Sequence, residues 1–306
     1  MSEQKLQSQT VQTTGHAWDG DLQEYNNPLP AWWVYTFYAT VIFSVIYWVI
    51  YPSWPIGKDW VGGLSKITYV NSAGETKTHS WNTRALLMKD MNQAASHQKP
   101  YFDKISAMSY EQIAKDPEMT GFVLSAGKTL FADNCAPCHQ AGGQGVVGFF
   151  PNLTDDDWLY GGSFEKIHET IVEGRRGYMP RFSEVLNATQ IDQLANYVAK
   201  LSGIGHDGAK ASAGDALFHG NAAACYICHD VTAKGRSEIG APNLTDNIWL
   251  WANVPAVEAP EAKVAAIRDV IANGLNRGVM PAWGGRLTPE QIKVLTVYVH
   301  DLGGGQ

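Results

Sequence analysis

The apolar positions of this chain change period several times, and each change marks a boundary. Residues 1–30 are Ser-, Gln-, Thr- and Asn-rich with no hydrophobic period, which predicts a loosely held tail. The next stretch, AWWVYTFYATVIFSVIYWVIY from Ala31 to Tyr51, is apolar on every face, and no charged residue stands between Glu24 and Lys58. At 1.5 Å per residue such a helix crosses the ~30 Å hydrocarbon core of a bilayer. Trp32 and Trp33 lie at one end and Trp48, Tyr51 and Trp54 at the other, the positions of interfacial aromatic belts. The run starts late and ends in Tyr-Pro-Ser-Trp-Pro without a small-residue cleavage site, so an uncleaved anchor over 31–54 is expected rather than a signal peptide. Residues 55–119 form a connector with two predicted elements. A hairpin pairs 67–70 with 76–78, and a helical stretch from Thr83 to about Asp116 is broken at Pro100.

From Thr120 onward the pattern occurs twice. Gly127-x-x-Leu130-Phe131 returns as Gly214-x-x-Leu217-Phe218, and Pro151-Asn152-Leu153-Thr154-Asp155 as Pro242-Asn243-Leu244-Thr245-Asp246. Gly177, Met179 and Pro180 return as Gly278, Met280 and Pro281. The final helix, with Ile191, Leu194 and Val198 at helical spacing, has its counterpart in Ile292, Leu295 and Val299. The offset grows from 90 residues at the cysteines (135 to 225) to 101 at the methionines (179 to 280), which places an insertion at 251–260. Two tandem domains follow, 120–203 and 208–303, joined by a Gly-rich hinge over 202–208.

Each repeat carries one Cys-x-x-Cys-His motif, Cys135/Cys138/His139 and Cys225/Cys228/His229, and these four are the only cysteines of the chain. The spacing sets two thiols on one face of a helical turn with an imidazole beside them, the arrangement that attaches c-type haem. A zinc site or a redox disulfide does not require a histidine directly after the second cysteine. Met179 and Met280 lie 40 and 51 residues after the histidine of their own repeat, each in a Gly-x-Met-Pro context, and are expected to complete the iron coordination. His168, His206, His219 and His300 do not recur between the copies and read as surface histidines, while Met88, Met91, Met108 and Met119 read as connector packing. The Asp155–Asp157 run reads as a solvated turn or cap.

Charge adds one exclusion and leaves the orientation of the anchor open. A net charge of −7 and a pI near 5.7 argue against nucleic acid as a partner. Lys5, Lys58 and Lys66 give the positive-inside rule too little to orient the anchor. Haem attachment by thioether takes place outside the bacterial cytoplasmic membrane, which puts the repeats in the periplasm and the tail in the cytoplasm.

Leading helix, Cys-x-x-Cys-His, a proline about a dozen residues on, Met-Pro and a final helix together resemble class I cytochrome c. The expected fold is therefore mostly α, one N-terminal transmembrane helix followed by two tandem class I cytochrome c-like domains. Pro151 and Pro242 match the proline whose carbonyl, in that family, accepts from the axial histidine. The whole is similar to the CcoP (FixP) family of cbb3-type oxidase subunits. The resemblance rests on Tyr25-Asn26-Asn27-Pro28-Leu29-Pro30 leading into the anchor, on Phe150 to Trp158, on Gly161-Gly162, and on the paired haem motifs. Relatives often carry a basic residue where Ala31 stands, and residues 56–84 match poorly.

The resemblance implies two covalent haem c groups, a membrane-bound relay without catalytic residues of its own, and a route from a cytochrome c donor to a catalytic haem–copper subunit. It also implies a mono-haem cytochrome c subunit as a further partner. An anchored cytochrome serving a periplasmic dehydrogenase shares all these chemical features. A dihaem peroxidase would need an open iron position, which two matched methionines leave no room for.

Overall fold

A computed structural model describes residues 12–71, 73–276 and 278–303. The chain divides into two compact units, 1–97 and 98–306.

The first unit opens with a hairpin, β1 (Thr13–Trp18) and β2 (Leu22–Tyr25), inside the stretch expected to be a loose tail; residues 1–11 of that tail lie outside the described residues. Asp19 and Gly20, both at positive φ, make the turn, so local turn chemistry orders a segment whose composition reads as tail. Pro30 then precedes α1 (Ala31–Ile50), and none of the helix's residues is buried by the chain itself. A 20-residue apolar helix with no covering partner is long enough to cross a membrane. Beyond it stand a two-residue ribbon, β3 (Pro55–Ile56) with β4 (Asp59–Trp60), and the expected hairpin, β5 (Lys66–Val70) with β6 (Thr76–Ser80), which buries Ile67. Asn82 caps α2 (Thr83–Ala107) by accepting from Ala85 N at 2.7 Å.

Pro100 does not break α2, contrary to expectation. The ring removes one ladder bond, but the turn beyond it is packed: Tyr101 stacks on Phe122 at 4.9 Å and Ile105 is fully buried. Of the four methionines assigned to connector packing, Met119 is fully buried and Met108 lies against the core, whereas Met88 and Met91 are exposed.

Among its described residues, the regular elements of the second unit are helices and one short ribbon. A Ser109–Gln112 capping box starts α3 (Tyr110–Lys115), and Asp116 caps α4 (Pro117–Asn134). The first motif forms α5 (Ala136–His139) and is followed by α6 (Phe164–Glu173) and β7 (Arg175–Arg176). Then come α7 (Ala188–Leu201), α8 (Gly208–His219) and the second motif, α9 (Tyr226–His229). The chain closes with α10 (Pro260–Asn273), β8 (Val279–Met280) and α11 (Pro289–His300).

The two hydrophobic cores do not follow the two repeats. One core joins α4 and α6 to α11, through Met119, Val123, Phe131, Ile167 and Ile171 against Ile292, Leu295 and Val299. The other joins α7 to α8 and α10, through Ile191, Leu194 and Val198 against Phe218, Ile267 and Ile271. Each repeat therefore lends its final helix to the other. Glycine permits the contact in both places. A Cβ at Gly127 would collide with Tyr298, and one at Gly214 with Tyr197 and the Gln193 carbonyl. The segment 202–208, expected to be a hinge, is instead a tight corner. Ser202 is buried and its Oγ donates to Leu244 O at 2.9 Å, while Asp207 N donates to Asn196 Oδ1 at 2.9 Å. A short corner forces α7 and α8 to lie side by side, so α7 falls in the core that follows it in sequence.

Candidate haem clefts

Both motifs are built alike. Cys135 N donates to Phe131 O at 2.8 Å as α4 ends, and His139 N returns to Cys135 O at 2.9 Å. His229 N returns to Cys225 O at 2.9 Å in the same way. One turn of helix holds each pair of thiols on a common face with the imidazole beyond them. Gln140 and Asp230, at φ 65° and 64°, end these turns in the left-handed region.

His139 Nδ1 lies 3.0 Å from Pro151 O, and His229 Nδ1 3.1 Å from Pro242 O. A carbonyl only accepts, so each Nδ1 carries the proton and each Nε2 keeps a lone pair for a metal. Burial lowers the pKa of both histidines, against the opposing pull of the proline carbonyl, and favours this neutral state. Burial likewise pushes the Cys135 and Cys225 thiols up to about 11.

A cleft of about 450 Å³ opens over the first motif and one of about 560 Å³ over the second. The methionines enter these clefts crosswise. Met280 lines the cleft of Cys135, Cys138 and His139, whereas Met179 lines that of Cys225, Cys228 and His229. The expectation that each methionine serves the histidine of its own repeat is corrected. The physical cause is a short antiparallel crossing of the two methionine loops. Arg175 pairs with Met280 and Arg176 with Val279, and Met179 and Leu275 exchange two backbone hydrogen bonds of 2.8 Å each. Gly174 and Gly274, at φ 71° and 63°, let the strands meet, since a Cβ at the first would strike Met280 O and one at the second Met179 O. With the loops crossed, α7 (Leu194, Val198) lines the second cleft and Val299 of α11 the first.

The clefts are neighbours, with Asp157, Gly240, Trp249 and Trp251 among the residues lining both. Trp251 opens the insertion of the second repeat and packs where a Cβ on Gly278 would sit, while Ala252 and Val254 are buried in the second core. Asp157 is not the freely solvated turn residue expected. Burial, then the charges of Asp246 and Asp155, push its carboxyl up to about 6. None of His168, His206, His219 and His300 lines either cleft. His300 stacks on Phe164 at 4.0 Å, and His219 Nδ1 pairs with Asp215 at 2.8 Å.

The residues present suit a haem. Each cleft offers an apolar wall, two thiols on one face, an imidazole nitrogen and a methionine thioether. Among the described residues Trp158 Nε1, in the first cleft, is buried without a hydrogen-bond partner, a donor suited to a carboxylate of a bound group. Sequence reasoning missed Trp158, because an indole reads as packing until its nitrogen is seen to be orphaned.

Two family models match the chain. Residues 10–58 match the N-terminal domain of cytochrome oxidase-cbb3, FixP, and residues 123–198 and 209–299 match cytochrome c oxidase, cbb3-type, subunit III. The cbb3-type cytochrome c oxidase subunit FixP of Azorhizobium caulinodans is 43% identical over 303 residues, covering 96% of this chain and 94% of its own. The chain belongs to the FixP/CcoP family of cbb3-type cytochrome c oxidase subunits. FixP of Bradyrhizobium sp. is 42% identical over 308 residues, and CcoP of Cereibacter sphaeroides 38% over 305, each match covering 96% of this chain and 95% of the relative. A member of this family is an electron-transfer subunit of an oxidase complex that binds haem c and assembles with other oxidase subunits. The apolar α1 is the membrane anchor of such a subunit.

Proposed function

We propose that the chain is a dihaem relay. It takes electrons from a cytochrome c donor or a mono-haem cytochrome c subunit and passes them toward the catalytic haem–copper subunit, where O2 is reduced. Cys135 and Cys138 hold one haem c by thioethers with His139 as axial ligand, and Cys225, Cys228 and His229 hold the other. Met280, which lines the first cleft, would complete the hold on the first haem's iron, and Met179, which lines the second, would do so for the other. The observation that carries this reading is the pairing, in each cleft, of a neutral imidazole from one repeat with a thioether from the other. The anchor leaves the tail 1–30 in the cytoplasm, and the connector and haem domains in the periplasm.

When bound, each haem supplies a one-electron Fe(III)/Fe(II) couple. The protein's part is to hold that couple ready. The Pro151 and Pro242 carbonyls orient the imidazoles and keep Nε2 available. A thioether opposite favours the ferrous state and raises the potential. One methionine lines each cleft, so each bound iron would have a protein thioether available, which favours a relay over a peroxidase. The identity to named oxidase subunits favours an oxidase over a dehydrogenase partner.

Ferric protein should show the near-infrared charge-transfer band of His/Met haem at two equivalents per chain, with both haems resisting acid–acetone extraction. Purified from native membrane, it should bring a haem–copper subunit with it. CO binding by one wild-type haem would overturn the closed relay, and isolation with a periplasmic dehydrogenase would overturn the oxidase assignment.

A further inference from the structure

After α1 the chain folds back onto the helix end. Leu64 N donates to Val49 O at 3.1 Å, Ser65 N to Ile50 O at 2.8 Å, and Ser53 Oγ to Trp48 O at 3.2 Å. These bonds satisfy carbonyls that a helix C terminus otherwise leaves open. Gly63 rests against Ile50 and Tyr51, and the Trp48 and Trp54 rings meet edge-on at 5.0 Å. Residues 53–65 are therefore held at the level of the last turns of α1.

This segment contains the β3–β4 ribbon, with Pro55 opposite Trp60 and Ile56 opposite Asp59. Opposed residues share a face and successive ones alternate. Trp60 thus stands on one face, with Trp54 and Ile56 on the other. Trp54, Ile56, Trp60 and Leu64 are 54%, 65%, 67% and 76% exposed. A ribbon that docks on one protein surface needs only one apolar face, and an isolated two-stranded hairpin is marginal in water. Apolar groups on both faces suit a medium that surrounds the ribbon, and the helix end to which it is tied lies where a bilayer changes from acyl chain to headgroup. Indole rings favour that zone, and Lys58 at the turn suits lipid phosphate.

We propose that residues 53–64 form an interfacial foot lying in the headgroup–acyl boundary at the C-terminal end of α1. Trp54, Ile56, Trp60 and Leu64 rest among upper acyl carbons, and Lys58 faces anionic headgroups. The foot sets the depth and rotation of the span. The proposal rests on α1 crossing the bilayer, and its test separates the two.

The haem-loaded full chain is placed in nanodiscs of phosphatidylethanolamine and phosphatidylglycerol. Nitroxides are attached to Ile42→Cys, Ile56→Cys, Trp60→Cys and Glu75→Cys, with the unsubstituted chain as the labelling blank. Relaxation by O2 relative to a nickel chelate reads depth. Position 42 should read deep, 56 and 60 shallow but within the bilayer, and 75 aqueous. In wild-type protein, lipids brominated high on the acyl chain should quench tryptophan emission, and Trp60→Phe should lose part of that quenching. If 56 and 60 read aqueous, or are shielded from both reagents as by a protein neighbour, while 42 stays deep, the foot is overturned and the span stands. If 42 reads aqueous, the span itself fails, and the foot with it.

Discussion

At the scale of single residues, the crossed methionines give the sharpest expectations. Imidazole favours ferric iron more than thioether does, so Met280→His should lower the potential of the haem held by Cys135 and Cys138. The shift should be on the order of 0.1 V, within the ~0.8 V that axial ligands span. The other haem should move far less, and Met179→His should do the reverse; potentiometry in a Cys225→Ala/Cys228→Ala background assigns the signals. A methionine acting within its own repeat would give the opposite assignment. Asp157 supplies a pH dependence. Its carboxyl is raised from 3.8 to about 6, first by burial and then by Asp246 and Asp155, so the folded chain binds the proton more tightly than the unfolded chain. The carboxylate therefore costs stability as pH rises from about 4 to about 6, and the cost stays constant above that. Asp157→Asn should raise the melting temperature at pH 7 and leave it nearly unchanged at pH 4. After discounting for solvent screening the gain is about 1 kcal/mol. An equal shift at both pH values would point to packing instead.

At the scale of elements, the pairs α4/α11 and α7/α8 share one device, a glycine beneath a tyrosine. Gly214→Ala puts a methyl against the Gln193 carbonyl and Tyr197 and should destabilise by about 1–3 kcal/mol, the range of overpacking. Urea unfolding followed at the haem and by far-ultraviolet dichroism would measure it. Leu194 and Val198 of α7 line the second cleft, so the same substitution should disturb the haem of Cys225 and Cys228 before the other. If the midpoint does not move, the helices have room to part.

At the scale of the whole molecule, exchange of the final helices makes the two clefts one folding problem. Residues 98–306 behind an export signal should give a soluble dihaem protein with both His/Met bands, since both cores lie within that unit. Residues 98–203 contain the first motif but lack Met280 and α11, so that fragment should not form a closed His/Met haem. Loss of the second haem in Cys225→Ala/Cys228→Ala should loosen α7, which belongs to the second core although it lies in the first repeat. A 98–203 fragment with a native His/Met spectrum would show that each repeat can close on itself.

By itself the sequence determined the family's motifs and most of the elements that carry them. A 21-residue apolar run, Cys-x-x-Cys-His twice, proline carbonyl partners and the periodic final helices are local patterns, set by residue type and spacing over a few turns. The β1–β2 hairpin and the survival of α2 through Pro100 escaped that reading, one resting on turn geometry, the other on packing beyond the proline. Tertiary structure alone decided which methionine lines the cleft of which histidine. Two repeats that share their motifs can close within themselves or across each other, and the periodicity is the same in both cases. The choice lies in non-local terms: the short 202–208 corner that lays α7 on α8, and the Gly174 and Gly274 approaches that let the methionine loops pair.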